Sequence, residues 1–103
     1  MQPNESVFSK EEIIKKLKEE KTFLTEKYDI SEIGLFGSYV RNEQGNDSDL
    51  DVLISYNKSP DFFKFLELEE YLSDLLNIKV DLVTKNSLKP IIAFYVNKEV
   101  VYV

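Results

Sequence analysis

The chain contains no cysteine and no histidine. The first absence excludes disulfide frameworks, thiol nucleophiles and cysteine-ligated zinc. The second excludes a Ser-His-Asp triad, a histidine general base and any histidine-ligated metal built from this chain alone. Catalysis is left to carboxylates, hydroxyls, Lys, Arg and backbone amides, and any metal would be a hard ion held by oxygen, Mg²⁺ or Mn²⁺. Long apolar runs are also missing. The longest, around residues 91–96, falls far short of the roughly 20 residues that a membrane-spanning helix needs. Residues 1–9 lack the basic and apolar pattern of a targeting signal. The expectation is a soluble, cytoplasmic protein with no membrane partner.

What is present suits one small folded unit. The 103 residues are 43% apolar and 31% charged, with seven Phe and six Tyr, enough to bury one core. We therefore expect a single domain spanning residues 1–103. Thirteen basic residues against nineteen acidic ones give a net charge of −6, which repels a phosphate backbone, so stable nucleic-acid binding is not expected.

Hydrophobic periodicity and capping signals predict an alternation of helices and strands. Ser9 and Glu12 have the spacing of a capping box, and Ile13, Ile14, Leu17, Leu24 and Tyr28 recur at near-helical intervals, predicting a helix to about Lys27. The charges of residues 15–21 read as its solvated face. Residues 33–36 form an apolar strand stopped by Gly37-Ser38, and residues 38–43 can make one or two helical turns. Turn formers at 45–48 precede an alternating strand at 49–56. Pro60 signals a second long helix with Phe62, Phe65, Leu68, Leu72, Leu75 and Leu76 on its apolar stripe, stopped near Asn77. Residues 79–84 alternate as a third strand, residues 87–97 suit a last helix, and residues 100–103 can add an edge strand. The fold class is α/β (α+β), with helices covering a small sheet.

Three aspartates lie within strands, where acidic residues are out of place. Asp49 and Asp51 are two apart, so their side chains share one face of a strand with Cα atoms about 6.5 Å apart. Asp81 lies mid-strand between Val80 and Leu82 and reaches the same point if the second and third strands are neighbours. Such carboxylates raise one another's pKa unless a cation lies between them, and an all-oxygen set suits Mg²⁺. A D-x-D triplet by itself is common, and each aspartate could instead cap a strand, face solvent or pair with a lysine. The upstream turn shifts the balance: Gly37-Ser38 closes a strand and opens a short helix, so the Ser38 hydroxyl and nearby amides can hold a phosphate.

Gly37-Ser38, ten intervening residues and Asp49-Leu50-Asp51 resemble the signature of the DNA polymerase β superfamily of nucleotidyltransferases, and residues 37–51 as a whole resemble its minimal nucleotidyltransferase (MNT) branch. The resemblance covers most of the chain. It implies a mixed three- or four-stranded sheet flanked by helices, with Asp49, Asp51 and Asp81 as a catalytic, metal-binding triad. It also implies two Mg²⁺ ions and ATP as substrate, with Gly37 and Ser38 holding the triphosphate. Arg41 and Glu43 fit the pattern as well; Arg41 either neutralises phosphate or pairs with an acid. Asn42 stands where the family has Gly, and because Asn tolerates a left-handed backbone the turn should survive. Asp81 is the candidate base, and the implied reaction is transfer of AMP to a hydroxyl.

The chain closes soon after its catalytic sheet, so the acceptor is expected from outside it. An acidic surface disfavours RNA, and the expected single domain disfavours a well-enclosed small molecule, which leaves another protein. Stand-alone MNT proteins are typically antitoxins paired with a helical HEPN toxin, and members adenylylate a tyrosine on it, so the resemblance implies that role here. Two alternatives remain at this level: an antitoxin that neutralises by binding alone, and the catalytic subunit of a small-molecule nucleotidyltransferase. Phe62, Phe63, Phe94, Tyr95 and Tyr102 could supply an interface, but their spacing favours core packing. An acidic surface and a candidate edge strand are compatible with a homo-oligomer without requiring one.

Overall fold

Hydrogen bonds from side chains to the backbone fix where each long helix begins. In the computed structural model, which describes residues 8–45, 48–59 and 61–103, α1 spans Lys10–Tyr28. Its N-terminus is the expected capping box: Ser9 N donates to Glu12 Oε1 at 2.8 Å and Glu12 N donates to Ser9 Oγ at 3.1 Å. Asp29, in the left-handed region at φ 57°, turns the chain directly into β1, Ile30–Phe36. That strand starts three residues before the apolar run that signals it. The short helix α2, Ser38–Arg41, stops at Asn42, whose φ of 60° is the left-handed conformation expected of it. Glu43, expected in α2, lies beyond its end.

β2 covers Leu50–Tyr56, and α3 covers Phe62–Leu76 with Asp61 as its cap, Oδ1 accepting from Lys64 N at 2.8 Å. Pro60, read as the start signal of this helix, lies outside the described residues, as do Asn46 and Asp47 of the expected turn. Asn77 ends α3 at φ 55°, as its position in the sequence suggests. β3 is Val80–Thr84. The last helix differs from expectation: residues 85–87 form a separate 3₁₀ turn, and α4 runs from Pro90 to Glu99. Proline at the first helical position loses no intrahelical bond, so the start shifts to it. β4 is Val101–Tyr102.

The four strands form one mixed sheet in the order β3-β2-β1-β4. β1 is antiparallel to β2 and to β4, whereas β2 and β3 are parallel and joined through α3. β3 is an edge strand, and α3 satisfies two of its outward amides: Val80 N donates to Ser73 Oγ at 3.0 Å and Leu82 N to Glu69 Oε2 at 2.9 Å.

The two faces of the sheet serve different ends. Ile33 and Leu35 of β1, Leu50, Val52 and Ile54 of β2, and Val80 and Leu82 of β3 are buried with Ile13, Leu17 and Leu24 of α1 and Leu68, Leu72 and Leu76 of α3. Each such side chain contributes about 1.5–3 kcal/mol when fully buried. Alternation then sends Asp49, Asp51 and Leu53 to the opposite face. On that side Gly34 pairs with Leu53 and Tyr102, and a methyl group on Gly34 would lie 2.7 Å from Val100 Cγ2. The missing side chain lets the segment joining α4 to β4 close over β1.

The aromatic residues at helical spacing correct one expectation. Phe62 and Phe63 are 68% and 80% exposed, and Phe94, Tyr95 and Tyr102 are also exposed rather than packed in the core. Phe62 opens the apolar stripe of α3, but the stripe joins the core only from Phe65 onward, through Leu68, Leu72 and Leu76, and Phe62 is left outside it. No described helix is long and apolar enough to cross a membrane.

Candidate active site

Strand register brings the aspartates to one end of the sheet. Asp51 of β2 pairs with Asp81 of the parallel strand β3, so their side chains lie on the same face of adjacent strands. Asp49 precedes β2 by one residue and shares the face of Asp51. Across the other edge of β2, Asp51 pairs with Phe36, the last residue of β1. The Gly37-Ser38 turn therefore adjoins Asp51 directly, although twelve residues lie between Ser38 and Asp51 in the sequence.

The carboxylates are not equivalent. Burial, then the negative charges of Asp81 and Asp49, push the Asp51 carboxyl up to about 6, partly offset by Arg41. Asp49 has a side chain 40% exposed, with Lys79 Nζ 4.0 Å away, and Asp81 is exposed. Among the described residues, no three acidic groups close into a ready-made metal cage. Register sets Asp51 beside Asp81, and alternation gives Asp49 the same face, while the three carboxylates stay too far apart to close on one point. The donor set still fits a hard divalent cation: all three groups offer carboxylate oxygen, and the repulsion that raises Asp51 is what a cation between them relieves.

Gly37 sits at φ 82°, which a side chain strongly disfavours. It is also pressed against Asp51: a methyl group there would lie 2.9 Å from Asp51 Cγ and closer still to Oδ2. The backbone oxygen of Gly37 accepts from the amides of Val40 and Arg41 at 3.1 and 3.2 Å, which makes α2. The amides of Ser38 and Tyr39 have no partner among the described residues, and they begin that turn beside Asp51. Tyr39 is buried, and burial together with the charge of Asp49 raises its phenol above the usual range. Arg41 turns back over the site. Its Nε donates to Glu43 Oε1 at 2.9 Å and its Nη1 donates to Glu99 Oε1 at 2.9 Å.

Glu99 is the residue that the sequence reading missed. Its Oε2 accepts from Gly37 N at 2.7 Å, linking the end of α4 to the turn. A helix expected to end near residue 97 left Glu99 in a connector. The usable signal was the edge strand after it, whose antiparallel pairing with β1 carries the preceding residue towards Gly37.

A mixed sheet with paired aspartates on neighbouring strands and a glycine-serine turn against them is the arrangement of a nucleotidyltransferase fold. The chain belongs to the nucleotidyltransferase domain family, whose model matches residues 9–103. It is 53% identical over 93 residues to the protein adenylyltransferase MntA of Thermococcus cleftensis, covering 90% of this chain and 94% of that protein. It also superposes on a chain of a toxin-antitoxin crystal structure with AMP-PNP, at a TM-score of 0.68 and 26% identity, covering 92% of this chain and 72% of the other. A further match is to a chain in a structure of a tri-AMPylated Shewanella oneidensis HEPN toxin in complex with an MNT antitoxin. There the TM-score is 0.59 and the identity 25%, covering 89% of this chain and 66% of the other.

Proposed function

We propose that the chain is a magnesium-dependent protein adenylyltransferase that transfers AMP from ATP to a tyrosine hydroxyl of a HEPN toxin and so acts as its antitoxin. The observation that carries this reading is the pairing of Asp51 with Asp81 directly beside the Gly37-Ser38 turn, together with the 53% identity to a protein adenylyltransferase. The neighbours with AMP-PNP and with an AMPylated HEPN toxin support the choice of nucleotide and partner.

Asp49 and Asp51 would hold the metal, with Asp81 completing the set. Bound there, two Mg²⁺ ions would neutralise the triphosphate and lower the pKa of the acceptor hydroxyl. Gly37, Ser38 and Arg41 hold the phosphates, Ser38 through its hydroxyl and free amide and Arg41 through its charge. The tyrosine oxygen attacks the α-phosphorus, the bond to the bridging oxygen breaks, and pyrophosphate leaves. Asp81, the most exposed of the three carboxylates, accepts the proton from the hydroxyl; with no histidine in the chain, a carboxylate serves as base. The whole reaction is assigned to one domain, with the acceptor side chain presented by the partner.

The test is label transfer from α- or γ-labelled ATP to the purified partner with Mg²⁺, with Asp49→Asn as control. α-Label alone on the partner, lost in the variant, supports the proposal. An unlabelled partner that is still neutralised by both wild type and Asp49→Asn replaces it with neutralisation by binding, for which exposed Phe62, Phe63, Phe94 and Tyr95 offer a surface.

A further inference from the structure

Glu99 occupies the last turn of α4 and has no part in the chemistry described above. The register that sets Leu35 opposite Val101 and Gly34 opposite Tyr102, continued along antiparallel strands, sets Gly37 opposite Glu99. The backbone at 99 has already turned into the helix and cannot offer its carbonyl to that ladder. The side chain does so instead, Oε2 accepting from Gly37 N at 2.7 Å. The same carboxylate takes Arg41 Nη1 with both oxygens, at 2.9 and 3.1 Å. The Glu99 side chain is only 25% exposed and its bond from Gly37 N is partly buried, whereas the Arg41 pair lies at the surface, with Arg41 46% exposed.

One carboxylate therefore fixes two of the three groups assigned to the triphosphate. We propose that Glu99 is a positioning residue for nucleotide binding, holding the Gly37 turn from the β4 edge and orienting Arg41 towards the phosphates; this rests on the function proposed above. The direction of the bonds favours this over competition between Glu99 and the triphosphate. Gly37 N–H points to the β4 side of β1, whereas Asp51 lies on the β2 side. Arg41 spends Nε on Glu43 and Nη1 on Glu99, and among the described residues Nη2 has no partner. A planar guanidinium held on two edges presents the third in a fixed direction, which a phosphate can use without reordering the side chain.

The experiment is calorimetric titration of the purified protein with Mg²⁺ and AMP-PNP for wild type, Glu99→Gln, Glu99→Ala, Arg41→Ala and the Arg41→Ala/Glu99→Ala double variant, with kcat and KM for ATP measured on the same preparations. Glu99→Ala should raise Kd and KM about tenfold while kcat changes less than about threefold. Glu99→Gln should fall between, because its amide oxygen still accepts from Gly37 but carries no charge for Arg41. In the Arg41→Ala background the Glu99→Ala change should cost less than it does in the wild type, about threefold instead of about tenfold, because only the bond to Gly37 N is left to lose. Tighter binding by either Glu99 variant would mean competition, and unchanged binding or additive losses would mean no action through Arg41; each overturns the proposal. Should Glu99→Ala fail to fold, Glu99→Gln decides by the same criteria. Wild type that binds no nucleotide overturns the proposed function and this inference together, whereas wild type that binds beside indifferent Glu99 variants overturns the inference alone.

Discussion

The Cα of Gly37 stands against the Asp51 carboxylate so closely that a methyl group there would overlap it. Gly37 also holds φ at 82°. Two independent constraints thus require glycine, one of space and one of backbone conformation. Gly37→Ala should lower stability by about 1–3 kcal/mol by urea denaturation, and transfer of AMP should fall even in the fraction that folds, since relief of the clash displaces Asp51. Gly45, whose Cβ would meet nothing within 4 Å, is the control: Gly45→Ala should leave activity near wild type.

The paired positions of Asp51 and Asp81 on adjacent strands lead to a metal prediction. Asp49→Asn, Asp51→Asn and Asp81→Asn should each reduce AMP transfer by about three orders of magnitude. Chelation with EDTA should abolish it, and Mg²⁺ should restore it in the wild type. Circular dichroism should show all three variants folded, because none of these side chains belongs to the buried core.

Much of this site was legible because its signals are local. The capping box at Ser9, the left-handed Asn42 and Asn77 and the alternation of Asp49 and Asp51 are all set within a few residues. The role of Glu99 was not legible, because it depends on an antiparallel register between strands more than sixty residues apart. Asp81 lies between these cases. Its alternation within β3 is local, but its place beside Asp51 needed β2 and β3 to be neighbours, which the α3 crossover provides. The exposed aromatics were misread because periodicity reports which face of an element is apolar, and not whether another element covers that face.

That misreading yields a stability contrast on one helix. Leu72 is fully buried and Phe63 is 80% exposed. Leu72→Ala should cost about 2–5 kcal/mol through lost burial and the cavity left behind. Phe63→Ser should change stability by no more than about 0.5 kcal/mol, as expected of a surface site. Chemical denaturation of both variants checks the pair; a large loss for Phe63→Ser would mean that its ring packs in the isolated protein.

The raised carboxyl of Asp51 makes the metal-free protein sensitive to pH in a defined direction. Its folded-state value of about 6 lies above the ordinary value of 3.8. A group of this kind binds its proton more tightly in the folded state, so its stabilising contribution is complete below about 3.8 and is lost as pH rises through about 6. Without metal, the melting temperature of the wild type relative to Asp51→Asn should therefore fall between pH 4 and pH 7. The difference between the two proteins isolates Asp51 from the other titrating groups. Added Mg²⁺ should offset the fall near pH 7, because a cation at the carboxylates favours the deprotonated form and binds only the folded chain. Differential scanning calorimetry of both proteins, with and without Mg²⁺, checks the prediction. A wild-type advantage over Asp51→Asn that grows with pH in the absence of metal would show that Asp51 is stabilised as a carboxylate, contrary to its burial beside Asp81 and Asp49.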